Sequence, residues 1–267
     1  MKFGFIGTGN MGAALAAAAV KGLGGEQVLL ANRTQAKAAA LAEKLGCAYS
    51  DNTQVAETCD LIFLGVKPNM MGALLQELAP VLAKRSQPYT LVSMAAGLTI
   101  ARLQEMAGCK TPIIRIMPNT PAQVGDGMIL YTTSSEVTEE ALDAFLQGMA
   151  PAGRFDALPE GLMDAGSAVS GCGPAFVYLM IEALADGGVA CGLPRQKAQD
   201  YAAQTLLGAA KMVLETGKHP GALKDAVCSP GGSTIQGVRA LEEGGFRTAA
   251  FEAVIAAYQK TVDLGKA

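Results

Sequence analysis

Residues 2–6, Lys-Phe-Gly-Phe-Ile, form a short apolar run that predicts a buried strand, and the alanine-rich stretch from Ala13 to about Lys21 predicts a helix close behind it. The alternation continues with a strand at 27–31, a helix near 34–45, a strand at 61–65, a helix after Pro68 and a strand at 90–93. Further strands are expected near 112–117 and 127–131. Thr138 suits a helix N-cap, and Leu142, Phe145, Leu146 and Met149 follow at i, i+3, i+4 and i+7, a stripe for packing on a sheet. Strands alternating with helices imply right-handed crossovers and an α/β fold, a largely parallel, doubly wound sheet of Rossmann type.

From about Pro159 the strand signal disappears. Residues 162–190 are compatible with one long helix, interrupted at Ser170-Gly171-Cys172-Gly173-Pro174, where proline ends or bends it. The following run, Ala175 to Ile181, is apolar on every side and must be covered all round. Two further helices are readable, 195–215 and 246–264. The expected organisation is a dinucleotide-binding domain over 1–158 and an all-helical domain over 159–267. The latter is too small to bury that run alone, so a second subunit is expected to cover it.

Composition narrows the classes of function. Half the chain is hydrophobic and 17% is charged, with a formal net charge of −3 and no run of lysine or arginine. Nucleic acid is therefore an unsuitable partner. Gly4, Gly7 and Gly9 break the N-terminal apolar stretch before a signal-peptide core forms, and no apolar run approaches the ~20 residues needed to span a bilayer. A cytoplasmic protein with no membrane contact is expected. The six cysteines are scattered without a C-x-x-C pair, and His219 is the single histidine, so neither a metal nor a disulfide is expected.

The chemistry begins at Ile6-Gly7-Thr8-Gly9-Asn10-Met11-Gly12. A G-x-G-x-x-G directly after a strand and before a helix suits a dinucleotide: Gly7 for the tight turn, Gly9 for close approach of a diphosphate, Gly12 for helix–strand packing. The diphosphate would sit on the helix N-terminus. Where an NAD enzyme places an acid to hold the ribose, after the second strand, this chain has Asn32-Arg33-Thr34. With no carboxylate to repel a 2′-phosphate and a guanidinium to hold it, NADP(H) is the expected cofactor, with NAD(H) as the alternative. Ligands of such sheets bind at the carboxyl ends of the strands, so the loops Gly65-Val66-Lys67-Pro68, Met94-Ala95-Ala96-Gly97 and Met117-Pro118-Asn119-Thr120-Pro121 should line the cleft. Lys67 suits either a ribose or phosphate contact or an ordinary surface cation.

In the second half, Ser229-Pro230-Gly231-Gly232-Ser233-Thr234 leads into another helix. Two glycines before hydroxyl residues make a nest of exposed N–H groups that can receive a carboxylate or a phosphate, or can simply begin a helix. His219 is a tempting general acid, but between Lys218 and Pro220 it reads as a surface residue.

With these segments in hand, the chain resembles the pyrroline-5-carboxylate reductase family from Phe3 almost to its end. The resemblance rests on Phe5 to Met11, Val66-Lys67-Pro68, Met117 to Pro121, Ser170 to Ala175, Asp186-Gly187-Gly188-Val189 and Ser229 to Ile235. It implies an NAD(P)H-dependent oxidoreductase that reduces the cyclic imine carboxylate 1-pyrroline-5-carboxylate to L-proline, the last step of proline biosynthesis. It further implies a homodimer interlocked through the helical domain, sometimes built into a larger ring. By the same resemblance Thr234 hydrogen-bonds the substrate ring nitrogen. The backbone from Gly231 through Ser233 to Thr234, helped by Ser229 and Val227, receives the carboxylate. Asn52, Gly65 to Pro68 and Met94 to Ala96 touch the cofactor. Cys172 and Cys228 stand where family members more often carry a hydroxyl residue. Two rivals remain: a β-hydroxyacid dehydrogenase on a similar plan, whose acid/base lysine has no counterpart between residues 162 and 195, and a non-catalytic dinucleotide sensor, which would have no need of a second anion nest.

Overall fold

The computed structural model describes residues 1–266; Ala267, the last residue of the expected second domain, lies outside them. In chain order the elements are β1 (Phe3–Ile6), α1 (Asn10–Leu23), β2 (Val28–Ala31), α2 (Gln35–Leu45), β3 (Ala48–Ser50), α3 (Asn52–Thr58) and β4 (Leu61–Leu64). There follow α4 (Pro68–Leu82), β5 (Thr90–Ser93), α5 (Ile100–Ala107), β6 (Ile113–Met117), β7 (Gly127–Thr133), α6 (Glu139–Met149) and β8 (Gly153–Ala157). The remaining helices are α7 (Met163–Ser170), α8 (Gly173–Ala190), α9 (Arg195–Thr216), α10 (Pro220–Ala226), α11 (Ser233–Glu243) and α12 (Phe246–Lys266).

The eight strands form one sheet in the order β3-β2-β1-β4-β5-β6-β7-β8, parallel except where β7 runs against β6. The reversal of strand order between β1 and β4 opens the crevice at which such sheets bind ligands. Every residue of β1, β2, β4 and β5 is buried, as parallel strands covered by helices on both faces require. Phe5 stacks on Phe63 at 4.3 Å between ring centroids, and Phe3 and Phe145 close around the same ring at 5.6 and 6.1 Å. Burial of one such side chain is worth about 1.5–3 kcal/mol.

The fully buried Arg115 on β6 meets Asp164 at 2.8 Å and Glu160 at 3.3 Å. The same Glu160 oxygen accepts from the N–H of Ile100 at the start of α5. This node ties β6, α5 and the segment leading into α7 together.

The chain divides into two compact units, one of Met1–Cys172 with the residues from Ala257 onward, the other Gly173–Ala256. The first therefore runs past the position at which the sequence places the boundary, because α7 packs on β7 and Met163 is buried with Met117 and Leu130. In the second unit α8 and α9 pack as a pair around Ala185, Ala198 and Ala202, with Arg195 paired to Asp186. Those alanines are its buried hydrophobic residues among the described ones, while Tyr178, Leu179, Leu214 and Phe251 are 58–69% exposed.

The expectation that no apolar run is long enough to cross a membrane is corrected. By length and composition Glu160–Ala190 is long and apolar enough, with a mean hydropathy of 1.5 over its 18-residue window. The segment is interrupted where the sequence indicates: α7 ends at Ser170 and α8 begins at Gly173, with Pro174 in the first turn of α8, where its missing N–H is not needed. That window is 11% buried within the chain.

Candidate functional site: a nucleotide cavity and an anion nest

Helix α1 starts at Asn10, three residues before the position the alanine pattern indicates, so Gly9 is its N-cap and Gly12 lies inside its first turn. A Cβ on Gly12 would come 2.1 Å from the Gly7 carbonyl oxygen, and one on Gly7, at φ +98°, would come 2.7 Å from that of Gly65. The β1–α1 and β4–α4 turns thus pack backbone against backbone. Gly9 differs: a Cβ there meets nothing within 4 Å. Its lack of a side chain serves no internal packing and leaves room for a ligand.

That room belongs to a cavity of about 690 Å³ lined by Ile6, Gly7, Thr8 and Gly9, by Asn32, Arg33 and Thr34, by Asn52, and by Gly65, Val66 and Lys67. The structure therefore gathers most of the sequence-predicted cofactor residues at one place. Three helices begin there. Their N-caps, Gly9 for α1, Thr34 for α2 and Lys67 for α4, make no side-chain capping bond, and none of the three has an acid in its first turn. By contrast α3, α5 and α6 are capped by Asp51, Thr99 and Thr138. Uncapped N-termini keep N–H groups and positive dipole ends free, each worth about 0.3–1 kcal/mol toward an anion. The buried Thr8 hydroxyl has no hydrogen-bond partner, a polar atom left for a ligand to satisfy. Asn32 organises the loop instead, accepting from the Thr8 N–H at 3.3 Å and donating to the Thr34 carbonyl at 3.1 Å. A dinucleotide with its phosphates on the helix starts fits these residues.

The remaining expected residues lie outside this cavity. Asn10 and Met11 are in the first turn of α1, Met11 leaning on the core. Pro68 is the first residue of α4. Beyond β5, Met94 and Ala96 are partly buried, and the Ala95 methyl is turned into the core, leaving mainly backbone for a cofactor to touch. Asn119 uses both ends of its amide internally, donating to the Ser170 carbonyl at 2.9 Å and accepting from the Met128 N–H at 2.9 Å.

Lys37, Asn69, Met70, Ala73, Leu74 and Glu77 line the cavity without having been singled out in the sequence. Their signal is spacing: Asn69, Ala73 and Glu77 recur every four residues on α4, as do Met70 and Leu74, and Lys37 sits one turn after Thr34 on α2.

In the second unit the nest is present. Val227 ends α10, Gly231 adopts φ +72°, the Gly232 N–H bonds the Ser229 carbonyl at 3.0 Å, and Gly232 caps α11 with no side-chain bond and no acid in the first turn. Ser233 and Thr234 are exposed. His219 is accounted for: its Nδ1 accepts from the Gly221 N–H at 3.1 Å and caps α10.

No cluster of three or more histidine, cysteine or acidic side chains suited to a metal occurs among the described residues. Burial pushes the Cys59 and Cys47 thiols above their ordinary range, which leaves them poor nucleophiles.

Comparison with known proteins covers both units. A family model described as pyrroline-5-carboxylate reductase dimerisation matches residues 160–264, and one described as NADP oxidoreductase, coenzyme F420-dependent, matches residues 2–97. The pyrroline-5-carboxylate reductase of Escherichia coli (strain K12) is 44% identical over 269 residues, covering 99% of this chain and 98% of its own length. That of Glycine max is 42% identical over 98% of this chain and 95% of its own. The crystal structure of Plasmodium falciparum pyrroline carboxylate reductase with NADP bound is similar with a TM-score of 0.89 at 34% identity, covering 99% of this chain and 98% of that one.

Proposed function

The chain belongs to the pyrroline-5-carboxylate reductase family, and we propose that it reduces 1-pyrroline-5-carboxylate to L-proline, the last step of proline biosynthesis, with NADPH as donor and NADH as the alternative. One observation carries the reading: three uncapped, acid-free helix starts gather around one cavity, and another stands at the glycine nest. A reductase of an anionic imine needs two anion sites, one for its coenzyme and one for its substrate.

The bound reduced nicotinamide supplies the hydride. The chain's own part is positioning, and fixing the reacting partners can remove about 7–11 kcal/mol of a barrier. Gly7 to Gly9 and the start of α1 hold the diphosphate, while Arg33 and the start of α2 hold the 2′-phosphate. The N–H groups from Gly232 to Thr234 receive the carboxylate, with Ser229 and Val227 beside them. The Thr234 hydroxyl hydrogen-bonds the ring nitrogen. A threonine hydroxyl is too weakly acidic to give up its proton at neutral pH, so the imine arrives protonated or takes its proton from water.

The bare faces of α8, α9 and α12 and the dimerisation model over the same residues support a homodimer, with a ring of dimers as its larger form and the cytoplasm as its compartment. Steady-state assays of NADPH oxidation test the function. Consumption that depends on pyrroline-5-carboxylate and yields proline is expected; reduction of NADP+ by a β-hydroxyacid when the oxidised coenzyme is supplied instead, or activity with neither compound, would replace this reading by one of its rivals.

A further inference from the structure

The cavity contains one carboxylate, and it is tied to a residue that the family resemblance places at the coenzyme. Glu77 Oε1, on α4, accepts from Asn52 Nδ2, on α3, at 3.1 Å. An ionised carboxylate oxygen only accepts, so the end of the Asn52 amide that faces it is the NH2 end, whichever way such an amide is drawn. The other end, Oδ1, has no hydrogen bond among the described residues. Arg33 and Lys37 line the same cavity.

We propose that Glu77 is a positioning residue for the coenzyme, locking the Asn52 amide so that its Oδ1 is offered to a donor on the adenosine half, a ribose hydroxyl or the adenine amino group. This rests on the reading of the cavity given above. An amide fixed in this sense cannot recognise a phosphate, which brings only acceptors. Arg33 and Lys37 serve the phosphate, and Asn52 serves a group that NADPH and NADH share. Glu77 therefore acts equally on both coenzymes, whereas Arg33 acts on NADPH. Without Glu77 the amide turns freely and presents its wrong end part of the time. A neutral hydrogen bond is worth about 0.5–1.5 kcal/mol, or roughly two- to twelve-fold in affinity.

The test is fluorescence titration of NADPH and of NADH, without substrate, on the parent, Glu77→Ala and Glu77→Gln, with melting temperature and kcat measured alongside. Glu77 is exposed, so both variants should melt with the parent. The expected result is a three- to ten-fold weaker Kd for both coenzymes in Glu77→Ala, by one common factor, with kcat within two-fold. Glu77→Gln, which keeps an acceptor for Asn52, should bind within two-fold of the parent. Unchanged binding in Glu77→Ala overturns the assignment. So does tighter NADPH binding in either variant, or a Glu77→Gln as weak as Glu77→Ala, since both would mean that Glu77 acts through its charge. A parent that bound neither nucleotide would overturn the reading of the cavity itself; a parent that binds both while Glu77→Ala is unaffected overturns this assignment alone.

Discussion

The sheet unit buries Phe3, Phe5, Phe63 and Phe145 in one cluster, while the helical unit buries three alanines and leaves Tyr178, Leu179, Leu214 and Phe251 in solvent. The two are built from comparably apolar sequence, so the contrast lies in who provides the cover. Helices on both faces of a parallel sheet complete the first core within one chain. The pair α8 and α9, with the run 175–181 of α8 apolar on every side, does not complete the second, and in the proposed homodimer the missing cover comes from a second copy. Coenzyme binding should therefore survive loss of association, and catalysis should not.

The largest expected effect breaks that division. Leu179→Asp puts a charge on the bare face of α8, and an unpaired charge buried at an interface costs about 3–5 kcal/mol. Sedimentation should show monomer and turnover should fall by two orders of magnitude or more, while NADPH titration stays close to the parent. A Leu179→Asp protein that remained dimeric and active would show that α8 is not at the interface.

Next in size is a pair of alanines within one motif. Gly9→Ala adds a methyl to open space, so melting should not change while the KM for NADPH rises roughly ten- to a hundred-fold, the cost of about 1.4–2.8 kcal/mol. Gly12→Ala drives its methyl into the Gly7 carbonyl oxygen and should lower the melting temperature first. Equal melting of the two would contradict the division of labour between these glycines.

Arg33→Ala should weaken NADPH about ten-fold, as loss of one charge-assisted hydrogen bond does, and leave NADH unaffected. The smallest effect belongs to His219→Ala: loss of the α10 cap costs about 1 kcal/mol of stability, with kcat within two-fold. A large loss of kcat would return this histidine to the reaction.

The same contrast explains what the sequence made legible. Strands β1, β2, β4 and β5 announce themselves as short apolar runs because both faces are buried. The edge strand β3 has no buried residue, and α3 buries only Val55 and Ala56, so neither shows a period to read. Strand β8, also largely exposed, escapes for the same reason. At the candidate site, glycines and their spacing mark the two anion cradles. Lys37 and Glu77 stay hidden because single charges on surface helices look alike until the fold turns one face of α2 and α4 toward a cavity. The break at Ser170-Gly171-Cys172-Gly173-Pro174 is legible because two glycines and a proline stand together there, and α7 ends at Ser170 while α8 opens at Gly173.

The most direct measurement compares kcat/KM for pyrroline-5-carboxylate with that for 1-pyrroline, the same cyclic imine without its carboxylate. If the start of α11 holds that group, the neutral ring should be turned over at least a hundred-fold less efficiently, an interaction of about 2.8 kcal/mol. Equal efficiency for the two would contradict a carboxylate site at Gly231 to Thr234.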